Sequence, residues 1–223
     1  MNHAYGLNIP KKLEEVCDPR KMALLVYDMQ VGILGQIQDG EQVTKSVGRV
    51  LRAARAAGVR VFFSRHLSLP KEVAGVMQLR TAMAWQHVDS VSAVQPWFLR
   101  DAPGFQITPE LAPLPSEAVF DKITMSALES TYLNIALRDC GINALAIVGV
   151  AMEVGIEPTA RHAADLGYIP IIITDACGAG HAEAAERSVA VLKFAEDSLF
   201  TDTETLCRVS AGIGQVEGEQ CQG

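Results

Sequence analysis

The segment that most constrains the fold is Ala144-Leu-Ala-Ile-Val-Gly-Val-Ala-Met-Glu-Val-Gly-Ile-Glu-Pro-Thr159. Residues Ala144 to Val148 form an uninterrupted apolar run, the mark of a strand buried on both faces of a parallel sheet. A helix opens around Pro158, and a tight turn, Gly149 to Gly155, joins the two. In open α/β sheets ligands bind at such a junction. The first N–H groups of a helix lack intrahelical partners there, and the helix dipole favours an anion. Hydrolases seat a nucleophile on such a turn, beside an oxyanion hole. This turn offers Met152, Glu153, Val154 and Gly155, with neither Ser nor Cys. It has the setting for a nucleophile and no nucleophile.

The rest of the chain supplies the sheet that this junction needs. Met22 to Asp28 is a continuous apolar strand ending on a carboxylate, and Glu41 to Ala57 is a helix stopped by Gly58. Val59 to Arg65 is a second strand, Glu72 to Gln86 a candidate helix, and Asp89 to Pro115 a long irregular connection with five of the ten prolines. Then come a short strand, Ala118 to Lys122, and a helix, Glu129 to Cys140. A strand from Tyr168 to Asp175, an Ala-rich helix from His181 to Ala195 and a last strand at Leu199–Phe200 follow the opening segment. Alternation of this kind predicts a three-layer α/β/α sandwich, a single Rossmann-like parallel sheet with helices on both faces. Residues 1–20 read as an N-terminal arm lying on the surface or on a neighbouring subunit, 21–210 as the domain, and 211–223 as a flexible tail.

Composition removes several classes of function. A net charge of −7 argues against nucleic acid as partner. No apolar run reaches the ~18 residues of a membrane span, and the start carries no basic-then-apolar signal. Five cysteines without C-x-x-C spacing suit a reducing compartment rather than a disulfide framework or structural zinc. The expectation is a cytoplasmic protein acting on a small molecule.

Three strands deliver groups to one carboxyl edge: Asp28, Lys122 and the Gly149–Gly155 turn. A buried carboxylate is costly unless paired, and Lys122 is its natural partner. Taken singly, Asp28 and Lys122 read as a structural ion pair. Their convergence on a vacant helix amino terminus points to a site instead.

The motifs Leu24-Leu-Val-Tyr-Asp28-Met-Gln30, Phe120-Asp-Lys122, Ser126-Ala-Leu128, Val148-Gly-Val-Ala-Met-Glu-Val-Gly155, Thr159-Ala-Arg161 and Gly167-Tyr168 resemble, in order and spacing, the isochorismatase-like hydrolases. That superfamily includes isochorismatases, nicotinamidases and N-carbamoylsarcosine amidohydrolases. The resemblance covers about Met22 to Asp202. It implies a six-stranded parallel sheet, a homo-oligomer (dimer or tetramer) and an Asp–Lys–Cys triad in which the Asp is Asp28, the Lys is Lys122 and the Cys position is Gly155. It also implies a cis peptide at Val150–Ala151, with Val150, Ala151 and Gly155 offering backbone N–H groups to an oxyanion.

Glycine cannot form a thioester. Enzymes of the isochorismatase branch that resemble this chain also carry Gly there and cleave a vinyl ether: the Asp protonates the enol-ether carbon and water adds to the oxocarbenium ion. Such an Asp would be protonated with substrate bound, helped by an anionic substrate that engages Lys122. Yet Gly-Val-Ala-Met-Glu-Val looks more like the amidase branch with its cysteine replaced. Three readings follow: a water-using hydrolase of a small, anionic metabolite; an amidohydrolase left inactive or substrate-trapping by Gly155; and a non-catalytic binding module.

Other residues carry weaker expectations. Gln30, Arg65 and Trp85 are candidates for substrate contact, with Trp97 a second possible pocket wall. Arg80 and Arg100 read as surface residues. Glu153 is expected to orient Arg161. Cys177 reads as a buried filler. His66 and His87, with Ser64 where nicotinamidases carry an Asp, make a poor zinc set, so neither metal nor cofactor is expected.

Overall fold

The computed structural model describes residues 1–220, and in the last helix the side chains only as far as Ala211. After an N-terminal hairpin, β1 (Asn2–Ala4) and β2 (Leu7–Ile9), come β3 (Met22–Tyr27), α1 (Val31–Leu34), α2 (Gly40–Ala56), β4 (Arg60–His66) and α3 (Val76–Gln86). They are followed by β5 (Ala118–Lys122), α4 (Leu133–Asp139), β6 (Ala144–Val150), α5 (Glu157–Asp165), β7 (Ile169–Gly178), α6 (Ala182–Ala195), β8 (Leu199–Thr201) and α7 (Thr203–Gln220). The main sheet is parallel and six-stranded, in the order β5-β4-β3-β6-β7-β8.

That order follows from hydrophobicity. Every residue of β3 and of β6 is buried, so these two strands take the centre. Strand alternation splits their side chains between two cores. Leu24, Val26, Ala146 and Val148 meet Val47, Val50 and Leu51 of α2 and Leu206 of α7. Leu25, Leu145 and Ile147 meet Leu133 and Leu137 of α4, Ala160 and Ala163 of α5 and Leu192 of α6. Each fully buried Leu or Ile contributes about 1.5–3 kcal/mol. From β3 the chain runs outward through β4 and β5, then crosses back to β6 on the opposite side. The crevice beyond β3 and β6 is therefore the switch point of the sheet, where open α/β folds bind ligands.

The structure departs from the sequence expectations in four places. The arm is a hairpin turning at Tyr5 and Gly6, both left-handed, and it joins the core at Val16 and Cys17. Its strands have only three residues each, too short for a periodic signal. The helix expected from Glu129 begins at Leu133. Upstream of it the Thr124 and Thr131 hydroxyls donate to backbone carbonyls, and Ser130 is left-handed, so local side-chain bonds displace the first helical turn. β7 runs past Asp175 to Gly178. Helix α7 continues into the stretch read as a tail, of which 221–223 lie outside the described residues. No helix among the described residues is long and apolar enough to cross a membrane.

Gly149 is where the two central strands crowd each other. Its φ is +124°, and a Cβ there would stand 2.0 Å from the Tyr27 carbonyl oxygen, a backbone atom with no rotamer to change. Gly149→Ala is expected to cost about 3 kcal/mol or more, lowering Tm by roughly 6–12 °C for a chain of this size. Thermal unfolding followed by circular dichroism would show it; an unchanged Tm would contradict the close β3–β6 approach.

Candidate active site

Three adjacent strands build the polar centre. Asp28 follows β3 with φ +47°, a left-handed conformation that Asp tolerates better than most residues. Its backbone N–H donates to the Ser64 carbonyl, and its Oδ1 accepts the Ser64 hydroxyl at 2.6 Å. From β5, two strands away, the Lys122 Nζ donates to Asp28 Oδ2 at 2.7 Å and to the Thr124 carbonyl at 3.1 Å. Asp28 and Lys122 are each 3 % exposed, so the pair is a buried one. Such a pair is bound to its geometry: desolvating two ions offsets most of their attraction, and removing one partner leaves the other uncompensated.

Tyr27 completes the cluster. Its ring lies under the ammonium, with Lys122 Nζ 4.3 Å from the centroid, and its hydroxyl donates to the Met125 carbonyl. Burial, with the Asp28 charge adding to it, pushes the phenol pKa well above its ordinary value, so the O–H is retained.

The turn after β6 contains a cis peptide at Val150–Ala151, as the family resemblance implies, and then a π-helical turn, Met152–Ile156. The Ala151 carbonyl accepts three N–H groups, from Val154, Gly155 and Ile156, at 3.3, 3.0 and 3.1 Å. The Gly155 N–H, a candidate oxyanion donor, is thereby engaged inside the turn. Gly155 itself is buried, and the volume a side chain would take there is filled by Tyr27. Glu153 does not orient Arg161. Its Oε1 accepts from Gly180 and His181 at the start of α6, while Arg161 pairs with Glu157 one turn away.

Beside this centre lies a cavity of about 330 Å³ walled by Met77, Trp85, Trp97 and Phe98, with His66, Thr124 and Met125 on the sheet side and Lys71 among its polar groups. Asp28, Lys122 and Gly155 are not among its walls. Ile123, Thr124 and Met125 are walls of the cavity, and the Thr124 and Met125 carbonyls accept from Lys122 and Tyr27, so this segment touches both the cavity and the polar centre. His66 faces the cavity while sensing both ions. Burial lowers its pKa, the Lys122 charge lowers it further, and Asp28 opposes them.

Of the substrate-contact candidates, Trp85 lines the cavity. Gln30 is fully buried and braces the site, its amide bonding the His66 N–H and the His66 and Phe105 carbonyls. Arg65 stacks over Phe105 and pairs with Asp121, to which Arg100 also pairs. Cys177 is a filler: its thiol donates to the Ile147 carbonyl, and burial drives its pKa far up. His87 ends α3 in a left-handed conformation and is not in the cavity wall. Among the described residues no three His, Cys, Asp or Glu side chains cluster in a way that could hold a metal. The sequence singles out Ser64 only within a poor zinc set and Tyr27 only as part of the β3 motif, and neither as a partner of the ion pair. Alternation along β3, which turns Tyr27 toward α5, is the one signal for its place.

Comparison with known proteins shows what the chain and its fold are similar to. A family model described as the isochorismatase domain matches residues 22–204. The isochorismatase family protein YecD of Escherichia coli O157:H7 is 27% identical over 179 residues, 75% of this chain and 85% of that protein. Among solved structures, a cysteine hydrolase from Pseudomonas syringae pv. phaseolicola 1448A superposes with a TM-score of 0.76 at 22% identity, covering 89% of this chain and 96% of its own. N-carbamoylsarcosine amidase from Thermoplasma acidophilum superposes with a TM-score of 0.68 at 18% identity, covering 82% and 96%.

Two outcomes test the site's electrostatics. Lys122→Met is expected to lose about 3–5 kcal/mol in urea unfolding, and Asp28→Asn in the same chain to recover a large part of that. Lack of recovery would mean that the pair is not coupled. The depressed pKa of His66 fixes the sign of a pH effect. As pH falls below 6.5 the unfolded chain binds a proton that the folded one resists, so stability present above that pH declines until the folded pKa is passed. His66→Gln is expected to flatten stability against pH in that window.

Proposed function

The chain belongs to the isochorismatase family, and from that premise we propose that it hydrolyses a small, anionic metabolite with Asp28, Lys122 and water, without a covalent thioester. The observation that carries this reading is the buried Asp28–Ser64–Lys122 cluster at the sheet's switch point, beside a turn with no nucleophile at position 155.

In this mechanism Asp28 is the proton carrier. An anionic group reaching Lys122 competes for the ammonium, loosens its hold on the carboxylate and favours proton uptake by Asp28. Asp28 then protonates the enol-ether carbon of a vinyl ether. Water adds to the oxocarbenium ion, and the hemiketal collapses to a carbonyl compound and an alcohol. The cavity suits a substrate with a ring-like or otherwise apolar body against Trp85, Trp97 and Phe98. The 123–125 segment, which lines the cavity and bonds to Lys122, links the bound substrate to the ion pair.

The test is a panel of carboxylate-bearing vinyl ethers, amides and ureides incubated with purified protein. Turnover is expected among the vinyl ethers with no acyl-enzyme in intact mass spectra, and Asp28→Asn is expected to lower kcat by about 10²–10⁴. Amide turnover through an acyl adduct, or turnover indifferent to Asp28→Asn, would defeat the proposal.

A further inference from the structure

An ideal Cβ built on Gly155 would stand 1.9 Å from the Tyr27 hydroxyl oxygen, 2.3 Å from Cζ and 2.5 Å from Cε1. Ordinary van der Waals contact begins at about 3.5 Å, so no side chain fits at position 155 while Tyr27 keeps its place. Nor is the ring a loose end. It is fully buried among Leu25, Met152 and Ile156, its hydroxyl is bonded to the Met125 carbonyl, and Lys122 Nζ sits over its face. The family resemblance puts a nucleophile's seat at position 155; the structure fills that volume from the neighbouring strand.

We infer that Tyr27 sets the reaction type of this site: its phenol occupies the volume in which a covalent enzyme would carry its nucleophilic side chain, and while Tyr27 keeps that place position 155 has to be glycine. This deepens the hydrolase reading and rests on it for the reaction, while the packing of Tyr27 against Gly155 does not depend on it. Tyr27 is a positioning residue. Its O–H is spent on the 123–126 segment and its ring on Lys122, so it braces the ammonium against Asp28 and does not itself attack. Covalent catalysis is closed twice, by the absent side chain and by the occupied space. A single change at position 155 does not reopen it.

The test uses the full chain and reads stability and acylation rather than turnover of any natural substrate, so it can fail independently of the proposed hydrolysis. Gly155→Cys alone is expected to lower Tm by roughly 10 °C or more, or to prevent folding. Adding Tyr27→Val is expected to recover at least about half of that loss, whereas adding Tyr27→Phe, which keeps the ring, recovers none. The probe for the opened seat is p-nitrophenyl acetate. A thiolate at position 155 forms an S–C bond to the acetyl carbon, the ester C–O bond breaks and p-nitrophenolate leaves. With the reaction run on folded protein, peptide mapping is expected to find the acetyl group at position 155 in Y27V/G155C and not in whatever G155C folds. Wild-type Tm in G155C with acetylation at that position would overturn the inference. So would a Y27V/G155C protein no more stable than G155C, or one that is stable and never acetylated there. If the double variant does not fold, a crystal structure of the unmodified protein decides: a Tyr27 hydroxyl packed on Gly155 upholds the inference, and a ring turned elsewhere overturns it.

Discussion

A carboxylate and an ammonium held 2.7 Å apart, each 3 % exposed, form an arrangement that folding resists unless something else over-determines it. Here the determinants come from every strand around the pair. Asp28 leaves β3 in a left-handed turn, Ser64 on β4 supplies a hydroxyl to one carboxylate oxygen, and Lys122 arrives from β5 to take the other. Gln30 ties the loop after β3 to His66 and Phe105, which keeps those strand ends in register. Most of the edge residues described above hold this pair or one another. Their hydrogen bonds do for two buried ions what water would otherwise do.

The same crowding accounts for the shape of the neighbouring turn. Tyr27 ends β3 and pairs in register with Gly149, where β3 and β6 come too close for a side chain. The chain then passes through Val150–Ala151 into a π-helical turn whose amides converge on the Ala151 carbonyl. A helix amino terminus open in sequence is thus partly satisfied from within in the folded protein. An incoming oxyanion would compete with an existing backbone bond at Gly155, whereas a proton-transfer reaction at Asp28 makes no such demand.

The central architecture was legible because it rests on long one-sided signals. The apolar runs of β3 and β6 are buried throughout, the three- and four-residue spacing of Val43, Val47, Val50 and Leu51 marks α2, and charged residues at strand ends mark the edge where they meet. Asp28 and Lys122 could be named as partners because a carboxylate closing a buried strand needs a cation. Ser64 and Tyr27 could not, because their roles depend on lateral distances between strands that linear spacing does not encode. The same limit explains Glu153, which finds the start of α6 instead of Arg161, and Arg65, which finds Asp121. Side chains that can reach several partners are assigned by tertiary position, and no local pattern ranks those partners. The late start of α4 has a local cause, since Ser and Thr side chains outbid the helix for backbone groups.

Gly155 and Tyr27 have to be considered together, because the ring occupies the space that the glycine leaves. A buried tyrosine beside an ion pair, taken by itself, points to a phenolic nucleophile. The geometry speaks against that: the phenol keeps its proton, donates a hydrogen bond to a carbonyl and supports the ammonium on its ring face, while the glycine makes room for it. A glycine in a packed interior leaves a void unless a neighbour fills it, and a void costs stability in proportion to its size. No such void exists at position 155, because the strand that carries the acid also carries the ring that fills it.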